Sequence, residues 1–189
     1  MILILGGYNI VKELLKEFQS RIIAETKKMI VWANDQNSDY SSEIFDVPMQ
    51  FSFPPALNKL RGRMGLYIFI TTEAKTLSYD DVKNWHSKIK GAGFKQWKKT
   101  EINDGDCLYV GSCTNKSLYS RIKEHFSKDG SYTALKLSHP TRNMLLDCVK
   151  CYAFPIEKEF SKQEIRIVVT SVEKELHNYL MPHCGSSRV

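Results

Sequence analysis

Arg121 and His125 stand four residues apart in the stretch LYVGSCTNKSLYSRIKEHF (108–126), and their side chains are types that bind anions and move protons. Within the same stretch Leu118, Ile122 and Phe126 recur every four residues and mark the buried stripe of a helix, so Arg121 and His125 share the face beside it. Just upstream, Leu108, Tyr109 and Val110 are strand formers. Gly111 permits a bend or a close approach, and Thr114 and Asn115 are residue types that begin helices. A guanidinium and an imidazole therefore project together beside the strand that carries Tyr109. A solvated helix face also shows polar pairs at this spacing, so the rest of the chain decides what the pair means.

A second group suited to phosphate lies upstream. Between Lys83 and Lys99 the chain has six lysines (Lys83, Lys88, Lys90, Lys95, Lys98 and Lys99) and no acidic residue, which equals the whole chain's net charge of +6. Trp85, His86, Phe94 and Trp97 are interleaved with them, as on a surface that tracks phosphates and stacks on bases. An amphipathic helix that packs its aromatic residues and solvates its lysines has the same composition. His139 and Arg142, in a loop after the Arg121 helix, are two further groups able to meet phosphate.

Five cysteines, an odd number, argue for free thiols rather than a disulfide framework. Cys148 and Cys151 form one C-x-x-C, which His183 and Cys184 alone are placed to complete as a zinc site. The pair lies in an apolar, strand-like run, which favours buried thiols.

The elements that must position these groups follow from periodicity and punctuation. Asn9 to Trp32 has helical spacing, and Glu43 to Leu60, with Pro48, Pro54 and Pro55, reads as an irregular arm. Leu66 to Ile70 is a buried strand. The segment 71–106 is inserted before the next strand and closes on the turn Asn103-Asp104-Gly105. Leu145 to Pro155 is another strand. Ser161 with Glu164 is a capping box for a helix running to about Leu180, stopped by Pro182 and Gly185. The expected organisation is a helical accessory region over 1–60 and a second domain over 61–189. With 42% hydrophobic and 25% charged residues the 189-residue chain suits a globular protein. No apolar run approaches a membrane span, and the first residues lack a basic leader region; a cytoplasmic protein is expected.

These residues resemble a known family. Gly65-Leu66-Tyr67 looks like the GIY element and Tyr109-Val110-Gly111 like the YIG element of the GIY-YIG nucleases. Arg121 with His125 is similar to that family's R-x-x-x-H helix, and Glu173 with Leu176, Pro182 and Gly185 to its closing E-x-x-L, Pro and Asn/Gly. The resemblance covers residues 61–189. It departs from the pattern in the long separation of Tyr67 from Tyr109, in Ser112 where many members have lysine, and in Gly185 for the terminal Asn.

The resemblance implies an α/β (α+β) fold, a small core with a three-stranded, mainly antiparallel sheet flanked by helices. It also implies a division of labour in phosphodiester hydrolysis. Glu173 would be the single protein ligand of Mg²⁺ (or Mn²⁺), with Glu175 as the alternative ligand. Arg121 would hold the scissile phosphate. Tyr67 would orient or deprotonate the water, its phenol pKa depressed by a nearby cation. Tyr109 would bond to the phosphate or water, and His125 would accept a proton or bind phosphate. The function so implied is a metal-dependent DNA endonuclease of the restriction type, cutting duplex DNA as a homodimer or higher oligomer, with no membrane partner. A repair or recombination nuclease of the same family has the same core. A nucleic-acid-binding module without turnover is the alternative from another class.

Overall fold

A computed structural model describes residues 43–46, 55–72, 102–128, 133–138, 149–156 and 160–185, with Ser20 and Ala24. The chain divides into two compact units, Met1–Tyr40 and Ser41–Val189. In the first, Ser20 and Ala24 are helical; the rest of the helix expected over Asn9 to Trp32 lies outside the described residues. The second unit holds strands β1 (Glu43–Asp46), β2 (Gly65–Thr71), β3 (Cys107–Cys113) and β4 (Val149–Pro155). It also holds a 3-10 helix (Pro55–Leu60) and helices α1 (Leu118–Phe126) and α2 (Lys162–Leu180).

The strands form one antiparallel sheet in the order β1-β4-β2-β3. β2 is central, and each of its seven residues is buried, as its β-branched and aromatic composition requires. β4, β2 and β3 make the three-stranded antiparallel core that was expected, with two helices in an α+β arrangement. β1 extends it to four strands by pairing Glu43–Asp46 with Lys150–Ala153 of β4. This corrects the reading of 43–60 as an irregular arm and moves the boundary expected at residue 60. β1 belongs to the sheet, and Pro55 starts a 3-10 helix whose Leu57 and Leu60 are buried in the core. Proline fits there because the first helical turn needs no N–H from it.

The ends of the inserted segment meet at the sheet. Thr71 N donates to Asp106 O at 2.9 Å and Gly105 N to Thr71 O at 2.7 Å, closing the predicted Asn103–Gly105 turn. Residues 73–101 lie outside the described residues, and with them Lys83, Lys88, Lys90, Lys95, Lys98 and Lys99.

α1 begins one turn later than Thr114 and Asn115 suggest. Ser117 is the N-cap and accepts from Ser120 N, while Asn115 is engaged elsewhere. Leu118, Ile122 and Phe126 are buried as their spacing predicts. α2 opens on the expected capping box of Ser161 and Glu164 and ends at Met181 in a left-handed conformation, before Pro182. Its buried stripe includes Val172, Glu173 and Leu176. Beyond it the backbone of His183 and Cys184 bonds to Cys107 O and Leu108 O, so the chain after α2 lies along β3. No helix among the described residues is long and apolar enough to cross a membrane.

Candidate active site

Tyr67 sits in the middle of β2 directly across from Gly111 of β3. A side chain at Gly111 would overlap the Tyr67 hydroxyl and the Tyr109 ring, so glycine here allows the two tyrosines to approach each other. Their ring centroids are 6.0 Å apart with planes 27° from parallel. Gly185 plays a related part on the other side. It has φ +89° and packs against the Tyr109 ring, where a Cβ would stand 3.0 Å from Cε2.

His125 is fully buried on α1 with both ring nitrogens engaged. Its Nδ1 accepts the backbone N–H of Leu135 at 3.0 Å, and its Nε2 lies 2.8 Å from the Tyr67 hydroxyl. Burial, reinforced by the Arg121 charge, holds its pKa well below the ordinary histidine value. A neutral imidazole whose Nδ1 accepts must carry its proton on Nε2, so His125 donates to the Tyr67 oxygen. Neither role expected of His125 fits this arrangement: both nitrogens are taken away from solvent, and Nε2 already holds its proton. It orients Tyr67 instead.

Arg121, four residues earlier, lies near both phenols, where its charge favours their ionised forms. Its Nη1 donates to Glu124 Oε2 at 2.8 Å, and Nη2 donates to Thr133 Oγ1 at 2.9 Å and Thr133 O at 3.2 Å. Burial works against its charge, but Tyr67, Glu124 and Tyr109 more than offset this and keep its pKa above the ordinary value. The guanidinium is thus a permanent cation in a fixed orientation.

Burial also raises the pKa of Tyr67 well above the ordinary phenol value, and Tyr109 adds to this while Arg121 pulls the other way. The depression expected from a nearby cation is therefore corrected: the cation is present, and desolvation outweighs it. Tyr109 is raised as well, by burial first, with Arg121 opposing and Glu173 adding to the rise.

Glu173 is the single buried carboxylate among the described residues, and Glu175 is exposed. The helical phase that buries Val172 and Leu176 also turns Glu173 inward. Ser112, two residues past Val110 on β3, donates its hydroxyl to Glu173 Oε2 at 2.6 Å. A buried carboxylate is costly without hydrogen bonds or a cation. One hard oxygen donor held by a hydroxyl fits a Mg²⁺-type ion, which keeps most of its waters and needs few carboxylates. Among the described residues no group of three or more His, Cys, Asp and Glu gathers as a larger metal site would.

Compared with protein-family models, with curated proteins and with solved structures, the chain matches none. Its functional reading therefore rests on this constellation.

An open pocket of about 260 Å³ gives access from solvent, lined by Ser112, Cys113, Thr114, Asn115, Lys116, Arg121 and Thr133. Arg121 is the member of the constellation that lines it, with Tyr67, His125 and Glu173 buried. Ser112, Glu124 and Thr133 were not singled out by the sequence as site residues. Glu124 was legible as an i,i+3 partner of Arg121; Thr133 leaves no such local signal.

The remaining candidates fall elsewhere. His139, Arg142 and Cys148 lie outside the described residues. Cys151 is buried in the core, and its thiol pKa is pushed up by desolvation. His183 hydrogen-bonds to Asp106 through Nε2 at 2.8 Å. The four described cysteines are free thiols.

Proposed function

We propose that this chain is a metal-dependent DNA endonuclease with a GIY-YIG-type catalytic centre, of the restriction type and cutting double-stranded DNA. The observation that carries the reading is the convergence of two phenols, a guanidinium and a buried carboxylate from β2, β3, α1 and α2 beside one pocket. Positioned charge is what phosphodiester hydrolysis needs most, because the protein's main tasks are orientation and neutralisation of developing negative charge.

A phosphate entering the pocket meets Arg121, whose plane is held by Glu124 and Thr133. The Tyr67 oxygen already accepts the His125 N–H, which fixes the direction of its hydroxyl. Tyr67 orients the water that attacks phosphorus; the water's proton passes to solvent as the bond to the 3′ oxygen breaks, and the departing oxygen takes a proton from solvent, leaving a 5′-phosphate and a 3′-hydroxyl. Tyr109, stacked beside it, hydrogen-bonds to the same phosphate. Glu173 and Ser112 would hold a divalent cation, Mg²⁺ or Mn²⁺, which when bound neutralises phosphoryl oxygens and stabilises the leaving alkoxide. Lys83, Lys88, Lys90, Lys95, Lys98, Lys99, His139 and Arg142 are the proposed wider DNA contacts, and a homodimer is the proposed cutting unit.

The test is incubation of mixed plasmid and phage DNA with wild type, Glu173→Ala and Arg121→Ala in the presence of Mg²⁺ or Mn²⁺. Discrete fragments from wild type alone are expected. Intact DNA in every wild-type reaction overturns the nuclease reading.

A further inference from the structure

Helix α2 holds the end of β3 and the loop that follows it, one contact on each. Glu173 takes the Ser112 hydroxyl near the end of β3. Arg166, two helical turns earlier on the same side, donates from Nη2 to Asn115 Oδ1 at 2.8 Å. The two contacts differ in setting. The first is buried and lies within the site; the second joins two exposed side chains, 51 residues apart in the chain.

An exposed hydrogen bond between side chains contributes little to stability, because each partner gives up a comparable bond to water. What this one does is fix the direction of a guanidinium. Asn115 occupies one of the N–H donors, and the others stay at an exposed surface at the rim of the pocket that Asn115 and Lys116 line. A planar guanidinium held at one edge loses less freedom when it takes a phosphate at the other.

Spacing gives the ligand. Seven residues of α-helix advance about 10 Å, while one strand of duplex DNA presents a phosphate about every 3.4 Å along its axis. A backbone whose scissile phosphate lies at Arg121, with Glu173 beside it, therefore passes Arg166 a few nucleotides away. We propose that Arg166, oriented by Asn115, grips a backbone phosphate flanking the one held at Arg121. This rests on the nuclease reading and adds to it a second, sequence-independent contact that sets the register of the strand in the pocket.

The experiment measures binding of a mixed-sequence duplex by fluorescence anisotropy, without divalent metal, over a series of salt concentrations. It compares wild type, Arg166→Gln, Arg166→Lys and Asn115→Ala with Lys59→Ala, an exposed cation that does not line the pocket. Arg166→Gln is expected to weaken binding about three- to tenfold and to make the plot of log K against log salt shallower by about one. Arg166→Lys and Asn115→Ala keep the charge and the slope while losing part of the affinity. Lys59→Ala matches wild type.

An unchanged slope in Arg166→Gln, with wild-type binding intact, makes Arg166 a pin for the loop. It overturns this inference and leaves the nuclease reading standing. Absence of wild-type binding at every salt concentration removes both.

Discussion

The pair Tyr67 and His125, and the pocket residues Asn115 and Thr133, are positioned by opposite means. The first pair is dry. Both residues are fully buried, they bond to each other at 2.8 Å, and the outer nitrogen of the imidazole is closed by a backbone N–H. The second group lines an open pocket, and Arg121 reaches it through hydrogen bonds to Thr133 at the rim. Low dielectric on the dry side makes every donor count and raises the cost of charge, as the elevated Tyr67 pKa records. The wet side offers cations to an incoming anion at little cost. In the proposed nuclease, orientation of the water and capture of the phosphate fall to these different environments, with Arg121 lining the pocket.

Removing the Tyr67 hydroxyl is the largest break in that division. In Tyr67→Phe the cleavage rate is expected to fall about 10²- to 10³-fold, the range lost with one positioned hydrogen-bonding group, while affinity for duplex DNA stays within about twofold. Single-turnover cleavage and anisotropy on the same DNA measure the two quantities. An equal fall in rate and affinity would mean that the dry side also binds substrate, and the separation drawn above would be wrong.

Gly111 tests the same side through packing. A methyl at this position overlaps the Tyr67 hydroxyl and the Tyr109 ring, inside a sheet with nothing soft to yield. Gly111→Ala is expected to cost about 1–3 kcal/mol, which for a chain of this size lowers the melting temperature by several degrees. It should also separate the phenols and lose activity beyond what the lost stability explains. Calorimetry and cleavage below the melting transition distinguish these effects. Unaltered activity at normal melting temperature would show that the phenols need not approach so closely.

How much of this was legible beforehand depended on how local each signal is. The α1 stripe of Leu118, Ile122 and Phe126 and the capping box of Ser161 and Glu164 are written within a few residues, and both formed as read. β1 was not legible, because four residues of Glu-Ile-Phe-Asp show too little alternation and their partner β4 lies over a hundred residues away. The α1 N-cap is Ser117, and Asn115 bonds instead to Arg166, a contact made in three dimensions. The sequence placed Arg121 and Tyr67 in one constellation, and it could not supply the depth of burial that reverses the expected direction of the Tyr67 pKa. The part played by His125 waited on Leu135 N, since the bond there fixes which nitrogen carries the proton.

That bond gives the smallest and most specific prediction. In the unfolded chain His125 takes a proton as pH falls through about 6.5. In the folded chain burial and the Arg121 charge refuse that proton, so the folded pKa lies well below. The unfolded state then binds more protons than the native state over the interval between, and stability must fall as pH falls. The contribution is fully present above about pH 6.5 and is lost progressively below it, on the order of 1 kcal/mol between pH 7.5 and 5.5. Urea unfolding of wild type and His125→Gln at both pH values isolates the term, because His177, His183 and the carboxylates are common to the two chains. Wild type is expected to lose more stability than the variant over this range, on the order of 1 kcal/mol. Equal losses would mean that His125 is protonated in the fold, which would turn Nδ1 into a donor facing the Leu135 N–H and undo the assignment of its Nε2 proton to Tyr67.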